Sequence, residues 1–344
     1  MAISLILDHF RAVAHWANSR ELEAQLNMRT FELSIHWQGR QVRFHPLFSA
    51  KFGNRLVHVS SLSEHVLSFA GWLPYRPYTS PWSTDKLLFK RDVNAAGLRT
   101  PRQWAQGAQP DAAYIMKRSQ GSFGYDLTGP FAAQEPAQSV AMPNPSGRGA
   151  TFAEEFIEGQ MAKIWFWGHR PFFVHLQDLP CITGDGQTSA SQLAAAMLAQ
   201  DSAADMFSST EILTQCLRYQ QVDPDASLPV GQRVWIDFRY GRTFQDRRRA
   251  VDANALSPLR RDCAAQLDAM GAFVARVLRE TAPVPLMSSV DAVLDRENRL
   301  WWLEMNTNSI LPHHGYELIL SDLFNASEEA STSVHRTPTS SAVH

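Results

Sequence analysis

The sequence predicts an α+β fold that is divided into more than one domain, and three features lead to this prediction. The 344 residues are 44% hydrophobic and 19% charged, an ordinary globular composition with enough length for two or three domains. Segments that alternate with period two predict strands, as in FELSIHW and QVRFHPLF. The amphipathic stretch RRDCAAQLDAMGAFVARVLRET predicts a helix of about twenty residues.

The charge, the cysteines and the hydropathy exclude several classes of protein. The net charge of -2 lacks the basic excess that nucleic-acid-binding proteins usually have. The three cysteines are far apart and show no metal-binding spacing. The first residues have no basic region, and Asp8, His9 and Arg11 interrupt their apolar stretch, so we expect no signal peptide. We therefore expect a cytoplasmic protein that binds neither nucleic acid nor membrane, and a homo-oligomer is left open.

The helix and strand signals follow one another along the chain. RELEAQLNMRTFEL predicts a helix that runs into a strand. Ser83 or Thr84 is predicted to cap a helix from Asp85 to about Ala96, with Gly97 at its C-terminal end. Further strands are predicted for AYIMK, YDLTGPF, the run from TFAEEFIEG to MAKIWFWG, RPFFVHLQDLP and RVWIDFRYG. Between the last two, SASQLAAAMLAQDSAADMF predicts an alanine-rich helix.

Two strands near the C-terminus, SSVDAVLD and RLWWLEMN, predict a hairpin that carries a cluster of oxygen ligands. A turn centred on Glu297 and Asn298 places Asp291 opposite Glu304. Asn306 lies two residues further on and therefore on the same face. A solvent-exposed hairpin is the alternative, but the strands are strongly apolar, and buried carboxylates without a cation are costly. The hairpin is therefore predicted to hold Mg²⁺, which prefers such hard oxygen ligands.

A second motif begins at Lys117, which ends a predicted strand and precedes a loop framed by Gly121 and Gly124 around Ser122. Such a loop lets backbone N–H groups approach phosphate oxygens, and a lysine adds a point charge. A plain hairpin turn is the alternative. The sequence contains neither a P-loop nor a GxGxxG segment that opens a helix.

These motifs occur in an order that resembles the ATP-grasp family, over roughly residues 80–316. The segments that carry the resemblance are an opening helix, a lysine and glycine flap, an adenine linker, a GDG segment and the metal hairpin: STDKLLFKRDVNAAGLRTP, IMKRSQGSFG, FAEEFIEG, PCITGDGQTSASQL and VDAVLD with LWWLEMNTN. The GDG segment is similar to that of cyanophycin-synthetase-like ligases. D-alanine–D-alanine ligases are relatives of the same type.

The resemblance implies an ATP-grasp fold, in which two α+β subdomains clasp ATP after a small α/β N-terminal domain. Lys86 and Lys117 would contact the ATP phosphates, and the loop of Gly121, Ser122 and Gly124 would close over them. The adenine would lie at Glu154 and Glu155, with a backbone contact from Ile157. The metal set of Asp291, Glu304 and Asn306 would hold one or two Mg²⁺ ions. Lys163 is also expected at the nucleotide, and Asn308 and His314 are expected at the substrate.

The chain departs from the family pattern at three positions. Met161 stands where an acidic residue often binds ribose, and Arg118 stands where proline usually follows the flap lysine. Ser289 replaces an arginine that some relatives place two residues before the metal aspartate. Another arginine must then stabilise the transferred phosphoryl group. Arg239 is the candidate, with Arg242 and Arg247 as alternatives.

With this resemblance, the chain is expected to divide into five parts. They are a small N-terminal domain, a connector with a helix, a flap subdomain, a C-terminal subdomain with the metal hairpin, and a disordered tail: residues 1–80, 81–111, 112–160, 161–325 and 326–344. The implied activity is ATP- and Mg²⁺-dependent ligation, in which a carboxylate becomes an acyl phosphate and is joined to an amine. An amino acid, a peptide or a small natural product is the expected substrate. A kinase of the same fold and an ATP-binding module without catalysis are the alternatives.

Overall fold

The protein is described here by a computed structural model, which covers residues 2–52, 55–105, 107–121, 127–135, 149–199, 210–240, 254–281 and 285–334. Helices and antiparallel strands both occur throughout, so the predicted α+β class is confirmed. The chain divides into two compact units. The first combines Met1–Tyr78 with Asn308–His344, and the second is Thr79–Thr307.

Among the residues described, the first unit is built on five antiparallel strands and two helices. Its elements are α1 Ala2–Asn18, β1 Glu23–Leu26, β2 Leu33–Trp37, β3 Arg40–Phe52, β4 Arg55–Val59, β5 Val66–Leu73 and α7 Gly315–Val334. The strand order is β1-β2-β3-β4, and β5 also pairs with β3. The core is aromatic, with Phe44, Phe48, Phe69 and Trp72 buried almost completely.

The helix predicted at the start of RELEAQLNMRTFEL is wrong, because Glu23–Leu26 form strand β1. Glu23 pairs with His36 of β2, and the tertiary pairing of the strands overrides the helix propensity of the segment. The turn that follows is set locally by Asn27, whose side-chain oxygen accepts hydrogen bonds from the N–H groups of Arg29 and Thr30. Helix α1 and strand β5 were not predicted from the sequence.

The C-terminal segment differs from the expected domain division in two ways. Residues 308–334 group with the N-terminal residues, whereas the prediction placed residues up to 325 with the metal hairpin. Helix α7 also continues to Val334, past the point at residue 326 where a disordered tail was expected to begin. Residues 335–344 lie outside the described residues.

A buried histidine joins α1 to α7 within the first unit. The Trp72 N–H donates to the Tyr316 hydroxyl at 2.8 Å, and that hydroxyl lies 3.0 Å from His9 Nδ1. Since the hydroxyl oxygen accepts from Trp72, its own proton is available to His9, which accepts as a neutral ring. Burial, together with the neighbouring His313, lowers the pKa of His9 to about 3.

This histidine predicts a loss of stability in acid. Its pKa is lower in the folded state than in the unfolded state, so the unfolded chain binds more protons between about pH 6.5 and 3. The free energy of unfolding should therefore fall as the pH is lowered across that window, by up to roughly 5 kcal/mol from this group. Urea unfolding of His9→Gln at several pH values should show a flatter dependence. His15→Gln, at an exposed position of the same helix, is the control, and an unchanged slope in His9→Gln would contradict the prediction.

The second unit contains three sheets and five helices among the residues described. Its elements are α2 Pro81–Thr84, α3 Lys86–Ala95, β6 Gln103–Trp104, β7 Tyr114–Arg118, β8 Leu127–Phe131, β9 Thr151–Glu155, β10 Gln160–Trp167, β11 Arg170–Gln177, β12 Cys181–Thr183, α4 Ala190–Ala199, α5 Thr210–Tyr219, β13 Arg233–Trp235, α6 Leu256–Arg279, β14 Met287–Leu294 and β15 Leu300–Thr307. The sheets have the orders β6-β9-β7-β8, β11-β10-β14-β15 and β12-β13. No helix in the described part of the chain is long and apolar enough to cross a membrane.

Two predicted boundaries in this unit change. The cap of α3 is Asp85 rather than Ser83 or Thr84. Asp85 Oδ1 accepts hydrogen bonds from the backbone N–H groups of Leu87 and Leu88, at 2.9 and 3.2 Å. The helix ends before Gly97, as predicted, with φ of +75° at that glycine. Of the strand expected over RVWIDFRYG, Arg233–Trp235 are strand and residues 236–240 are not, while Gly241 lies outside the described residues.

Helix α6 packs against β11 at a glycine that cannot accept a side chain. A Cβ atom on Gly271 would overlap the backbone carbonyl oxygen of His169. Gly271→Ala should therefore destabilise the fold by about 2 kcal/mol, although alanine alone would favour a helix by roughly 1 kcal/mol. Urea unfolding measures the difference. Ala272→Gly, at the exposed neighbour, should cost only about 1 kcal/mol, and a stabilised Gly271→Ala protein would refute the close approach.

Candidate active site

The predicted oxygen cluster lies on the hairpin of β14 and β15. Asp291 is directly opposite Glu304, so the predicted pairing is confirmed. Asn306 lies on the same face, and its Nδ2 donates to Asp291 Oδ2 at 3.0 Å. Two carboxylates and an amide thus meet on one face of two adjacent strands.

The pairing arises by a different route from the predicted one. A turn centred between Glu297 and Asn298 implies that Leu294 lies opposite Trp301, but the structure pairs Leu294 with Leu300. Asn298 adopts a left-handed conformation with φ of +57°, which suits a three-residue hairpin loop. A register shift between Asp291 and Ala292 then restores the predicted partner of Asp291.

Each carboxylate of the cluster has its own lysine. Lys163 on β10 lies opposite Asp291 in the sheet, and its Nζ is 2.5 Å from Asp291 Oδ1. Lys86, the first residue of α3, places its Nζ 3.1 Å from Glu304 Oε2. The two ammonium groups thus occupy positions beside the carboxylates where a metal cation would also be attracted.

The pKa values of the two carboxyl groups move in opposite directions. Burial raises the pKa of Glu304, but the positive charges of Lys86, Lys117 and Lys163 outweigh it and hold the pKa at about 2. Burial also raises the pKa of Asp291, and the charge of Glu304 adds to this while Lys163 opposes it. Two carboxylates that interact electrostatically do not ionise independently. A further cation would favour the form in which both are ionised.

A second buried charge cluster lies close to the first. The Glu154 carboxylate on β9 is 1% exposed and lies between two lysines. Lys117 Nζ donates to Glu154 Oε1 at 2.6 Å, and Lys90 Nζ lies 2.7 Å from Oε2. Burial lowers the pKa of Lys90 to about 8, although Glu154 opposes the shift. Burial raises the pKa of Glu154, but Lys117 and Lys90 outweigh burial and lower it overall.

Lys90 was not predicted as a site residue. It stands four positions after Lys86 on α3, so the two lysines share a face of that helix. That spacing was visible in DKLLFK and could have suggested that both lysines reach one site. The burial of Lys90 against Glu154 could not be deduced, because the two residues lie on elements distant in sequence.

The described start of the glycine loop, up to Gly121, lies beside Lys86. The Lys86 Nζ donates to the Gly121 carbonyl oxygen at 2.5 Å, and the Lys86 N–H donates to the Ser119 carbonyl at 2.8 Å. Gly121 has φ of +152°. Ser122 and Gly124, the other predicted loop residues, lie outside the described residues.

The two glutamates of the predicted adenine linker point in different directions. Glu154 is buried between its lysines, whereas Glu155 accepts a hydrogen bond from the Arg102 N–H at 3.3 Å. Successive residues of a strand face opposite sides, so both side chains cannot line one adenine site. Ile157 follows in the irregular segment after β9 and is half-buried. Its backbone contact with adenine stays a prediction.

Arg239 is buried, and the carboxylate of Asp237 holds its guanidinium. Its Nη2 donates to Asp237 Oδ2 at 2.6 Å and its Nε to Oδ1 at 3.0 Å. The Arg239 N–H also donates to Asp237 Oδ1 at 2.9 Å, which fixes the backbone of the same segment. The guanidinium is therefore rigidly oriented. The alternatives Arg242 and Arg247 lie outside the described residues.

A tyrosine and a histidine also approach the hairpin, and neither was predicted. Lys163 Nζ lies 5.1 Å from the centre of the Tyr240 ring, and the Tyr240 hydroxyl is 2.7 Å from His175 Nδ1. Burial raises the pKa of Tyr240, and the charge of Asp291 adds to the shift. Burial lowers the pKa of His175, and Lys163 adds to this. Both side chains are therefore neutral near pH 7, and the Tyr240 hydroxyl and His175 Nδ1 share one hydrogen bond.

The two predicted substrate residues belong to the first unit. Asn308 has φ of +58°, and its amide both accepts from the Tyr78 N–H and donates to the Tyr78 carbonyl, at 3.1 and 2.6 Å. His314 stacks on His313 with ring centres 4.0 Å apart. These contacts give Asn308 a structural role. Contact of either residue with a substrate stays a prediction.

The donor chemistry of the cluster fits a hard divalent cation. The described residues contain no group of three His, Cys, Asp or Glu side chains that could hold a metal. The hairpin instead offers two carboxylates and one amide, an all-oxygen set. Mg²⁺ commonly uses one or two protein carboxylates and completes its shell with water and phosphate oxygens.

Comparisons with known proteins give similarity in structure only. No protein-family model matches the chain, and no curated protein matches it. The solved structures that are similar include a bifunctional glutathione synthetase from Pasteurella multocida, with 14% identity and a TM-score of 0.42 over 94% of this chain and 44% of that one. The chain therefore spans less than half of that protein.

Two further solved structures are similar to the chain. A D-alanine–D-alanine ligase from Bacillus anthracis has 12% identity and a TM-score of 0.38 over 75% of this chain and 73% of that one. An L-amino acid ligase from Bacillus licheniformis has 10% identity and a TM-score of 0.32 over 68% and 42%. These proteins are ligases, the class that the sequence motifs resemble, but similarity at this level assigns neither activity nor substrate to the chain.

Proposed function

We propose that this chain is an ATP- and Mg²⁺-dependent ligase with an ATP-grasp fold, which activates a carboxylate as an acyl phosphate and joins it to an amine. The observation that carries the proposal is the face of β14 and β15, where Asp291, Glu304 and Asn306 meet beside two lysines. The substrates would be an amino acid, a peptide or a small natural product. The reaction would take place in the cytoplasm.

The balance of charge supports a polyphosphate ligand. Four lysines surround three carboxylates in the two clusters: Lys86, Lys90, Lys117 and Lys163 beside Glu154, Asp291 and Glu304. This leaves one excess positive charge in a largely buried region, where charges interact more strongly than in water. A triphosphate with a divalent cation would complement that excess.

We assign each of these residues a role in the proposed reaction. Asp291, Glu304 and Asn306 would hold the magnesium, which when bound supplies charge neutralisation at the β- and γ-phosphate oxygens. Lys86 and Lys117 would bind phosphate oxygens directly, and the loop of Gly121, Ser122 and Gly124 would exclude water. Arg239, oriented by Asp237, is our candidate for the residue that stabilises the transferred phosphoryl group.

The proposed chemistry has two steps. An oxygen of the substrate carboxylate attacks the γ-phosphorus while the bond to the bridging oxygen of ADP breaks, which gives the acyl phosphate. The amine nitrogen then attacks the acyl carbon, and inorganic phosphate leaves with the C–O bond electrons. The amine must lose a proton in this step. Phosphoryl transfer of this kind depends on positioning and charge stabilisation, so no side-chain nucleophile is required.

A phosphate-release screen tests the proposal. The full-length chain would be incubated with Mg²⁺, ATP and pairs drawn from amino acids and short peptides. The mass of each product would be determined by mass spectrometry. A ligase releases one phosphate for each ADP and gives a product with the summed mass of the pair less one water. ADP with a phosphorylated product and no free phosphate would contradict ligation and indicate a kinase. ATP binding without ADP formation for every pair would indicate a non-catalytic module.

A further inference from the structure

The first unit contains a cavity of about 640 Å³ that is separate from every residue assigned above to metal or nucleotide. Its lining comes from the turn before β2, from β3 and β4, and from the segments that follow β4 and β5. A volume of this size is in the range of small-molecule sites and exceeds what a single inorganic ion needs. The cavity therefore suits an organic ligand of moderate size.

Two arginines give the cavity its charge. Arg29 and Arg76 both line it and are both exposed. Among the residues that the structure describes, neither guanidinium has a carboxylate within ion-pair distance. Among the lining residues that the structure describes, Glu32 is the one carboxylate, and its Oε1 lies 3.3 Å from His45 Nδ1. The arginines thus retain five N–H donors each for a ligand, in a geometry that matches the oxygens of an anion.

A histidine in the lining has unused hydrogen-bonding capacity. His58 Nδ1 is buried and has no hydrogen-bond partner in the described part of the chain. Burial also lowers the pKa of His58, so the ring is neutral near pH 7. A buried polar atom without a partner is uncommon in folded proteins. A ligand group could satisfy this nitrogen after rotation of the ring about its Cβ–Cγ bond, so binding should change the surroundings of His58.

Hydroxyl groups complete the polar part of the lining. Ser60 and Ser61 follow β4 and line the cavity together with Thr30. Hydroxyls both donate to and accept from a ligand, so they suit a carboxylate or a phosphoryl group equally well. Leu62 adds an apolar surface that is 52% exposed. A small molecule with one anionic group and an apolar or polar body fits this combination.

We propose that this cavity, termed the arginine cavity and defined by Arg29, Arg76, His58 and Ser60, binds a small organic anion through a carboxylate or phosphoryl group. The site goes beyond the proposed ligase function and does not depend on it. Each arginine donates to the oxyanion, the serine hydroxyls complete its hydrogen bonds, and the remainder of the ligand fills the cavity toward Leu62.

The test uses the full chain with ¹³Cε1-labelled histidine, and its probes are succinate and glycerol 3-phosphate at pH 7.5 and low salt. The His58 resonance, assigned by its absence in His58→Gln, should shift in a saturable way with one or both probes. Saturation by succinate alone identifies a carboxylate ligand, and saturation by glycerol 3-phosphate alone identifies a phosphoryl ligand. Arg29→Gln combined with Arg76→Gln should weaken binding by about a hundredfold, since each charge-assisted hydrogen bond contributes roughly tenfold or more.

Arg40→Gln combined with Arg43→Gln is the matched control. These two arginines are exposed on the same sheet and do not line the cavity. Replacing them removes the same amount of positive charge as replacing Arg29 and Arg76. Binding by this control should equal that of the unmodified chain. The proposal is overturned if neither probe shifts the His58 resonance, if binding survives loss of Arg29 and Arg76, or if both double variants lose it equally. Because the readout is local to His58, a chain that fails the phosphate-release screen can still pass this test.

Discussion

Replacing Glu304 with glutamine should abolish ADP formation, with a fall in turnover of about a thousandfold or more. Glutamine keeps the shape and can still accept a hydrogen bond from Lys86, whose Nζ lies 3.1 Å from the carboxylate. It removes the negative charge that the proposed magnesium requires. The rate of ADP release with saturating ATP and magnesium measures the effect once a substrate pair is known, and substrate-independent ATP hydrolysis measures it before then.

Glu297→Gln is the matched control for this experiment. Glu297 lies in the turn of the same hairpin, is 64% exposed at its side chain, and pairs with Arg299. The same chemical change there should leave turnover within about twofold, since exposed ion pairs contribute little. Urea unfolding of both variants shows whether the fold is retained. Full turnover by Glu304→Gln in a folded protein would exclude Glu304 as a metal ligand.

Replacing Glu154 with glutamine should cause the largest loss of stability among the changes considered. The carboxylate is 1% exposed and compensates two ammonium groups, one of which belongs to the fully buried Lys90. Removing one partner of a buried ion pair leaves an uncompensated charge and typically costs about 3 to 5 kcal/mol. The free energy of unfolding in urea, followed by tryptophan fluorescence, should fall by that amount.

Two further variants separate the buried charge from a general effect on β9. Glu155→Gln changes the neighbouring residue, whose carboxylate accepts one long hydrogen bond from the Arg102 N–H, and should cost less than about 1 kcal/mol. Lys90→Met in the Glu154→Gln background removes one of the uncompensated ammonium groups and should restore part of the lost stability. Equal losses in Glu154→Gln and Glu155→Gln would contradict the buried charge cluster.

The hairpin was accessible from sequence because its chemistry is local. Asp291 and Glu304 are separated by a short turn, and the period-two pattern of strands fixes which residues share a face. The exact turn was predicted one residue too short, yet the register shift beside Asp291 restored the expected pair. The cap region of α3 and the strand that ends near Lys117 were accessible for the same reason, since both depend on neighbours in the chain.

Contacts between residues that are far apart in the sequence could not be predicted. Lys163 meets Asp291 only because β10 lies beside β14 in the sheet. Lys90 meets Glu154 only because α3 packs near β9, and Tyr240 reaches His175 from a segment that forms no strand. The assignment of RELEAQL to a helix failed in the same way, because pairing with β2 outweighed local propensity.

The sequence by itself determined the α+β class, the oxygen face of the hairpin, and the order of the motifs that resemble ATP-grasp ligases. These depend on side-chain periodicity and on spacings of a few residues, which the chain carries locally. Only the tertiary structure decided which lysine compensates which carboxylate, which unit residues 308–334 join, and where the arginine cavity forms. Those features depend on contacts between distant segments, whose geometry is fixed by packing and burial of the whole fold rather than by any one stretch of sequence.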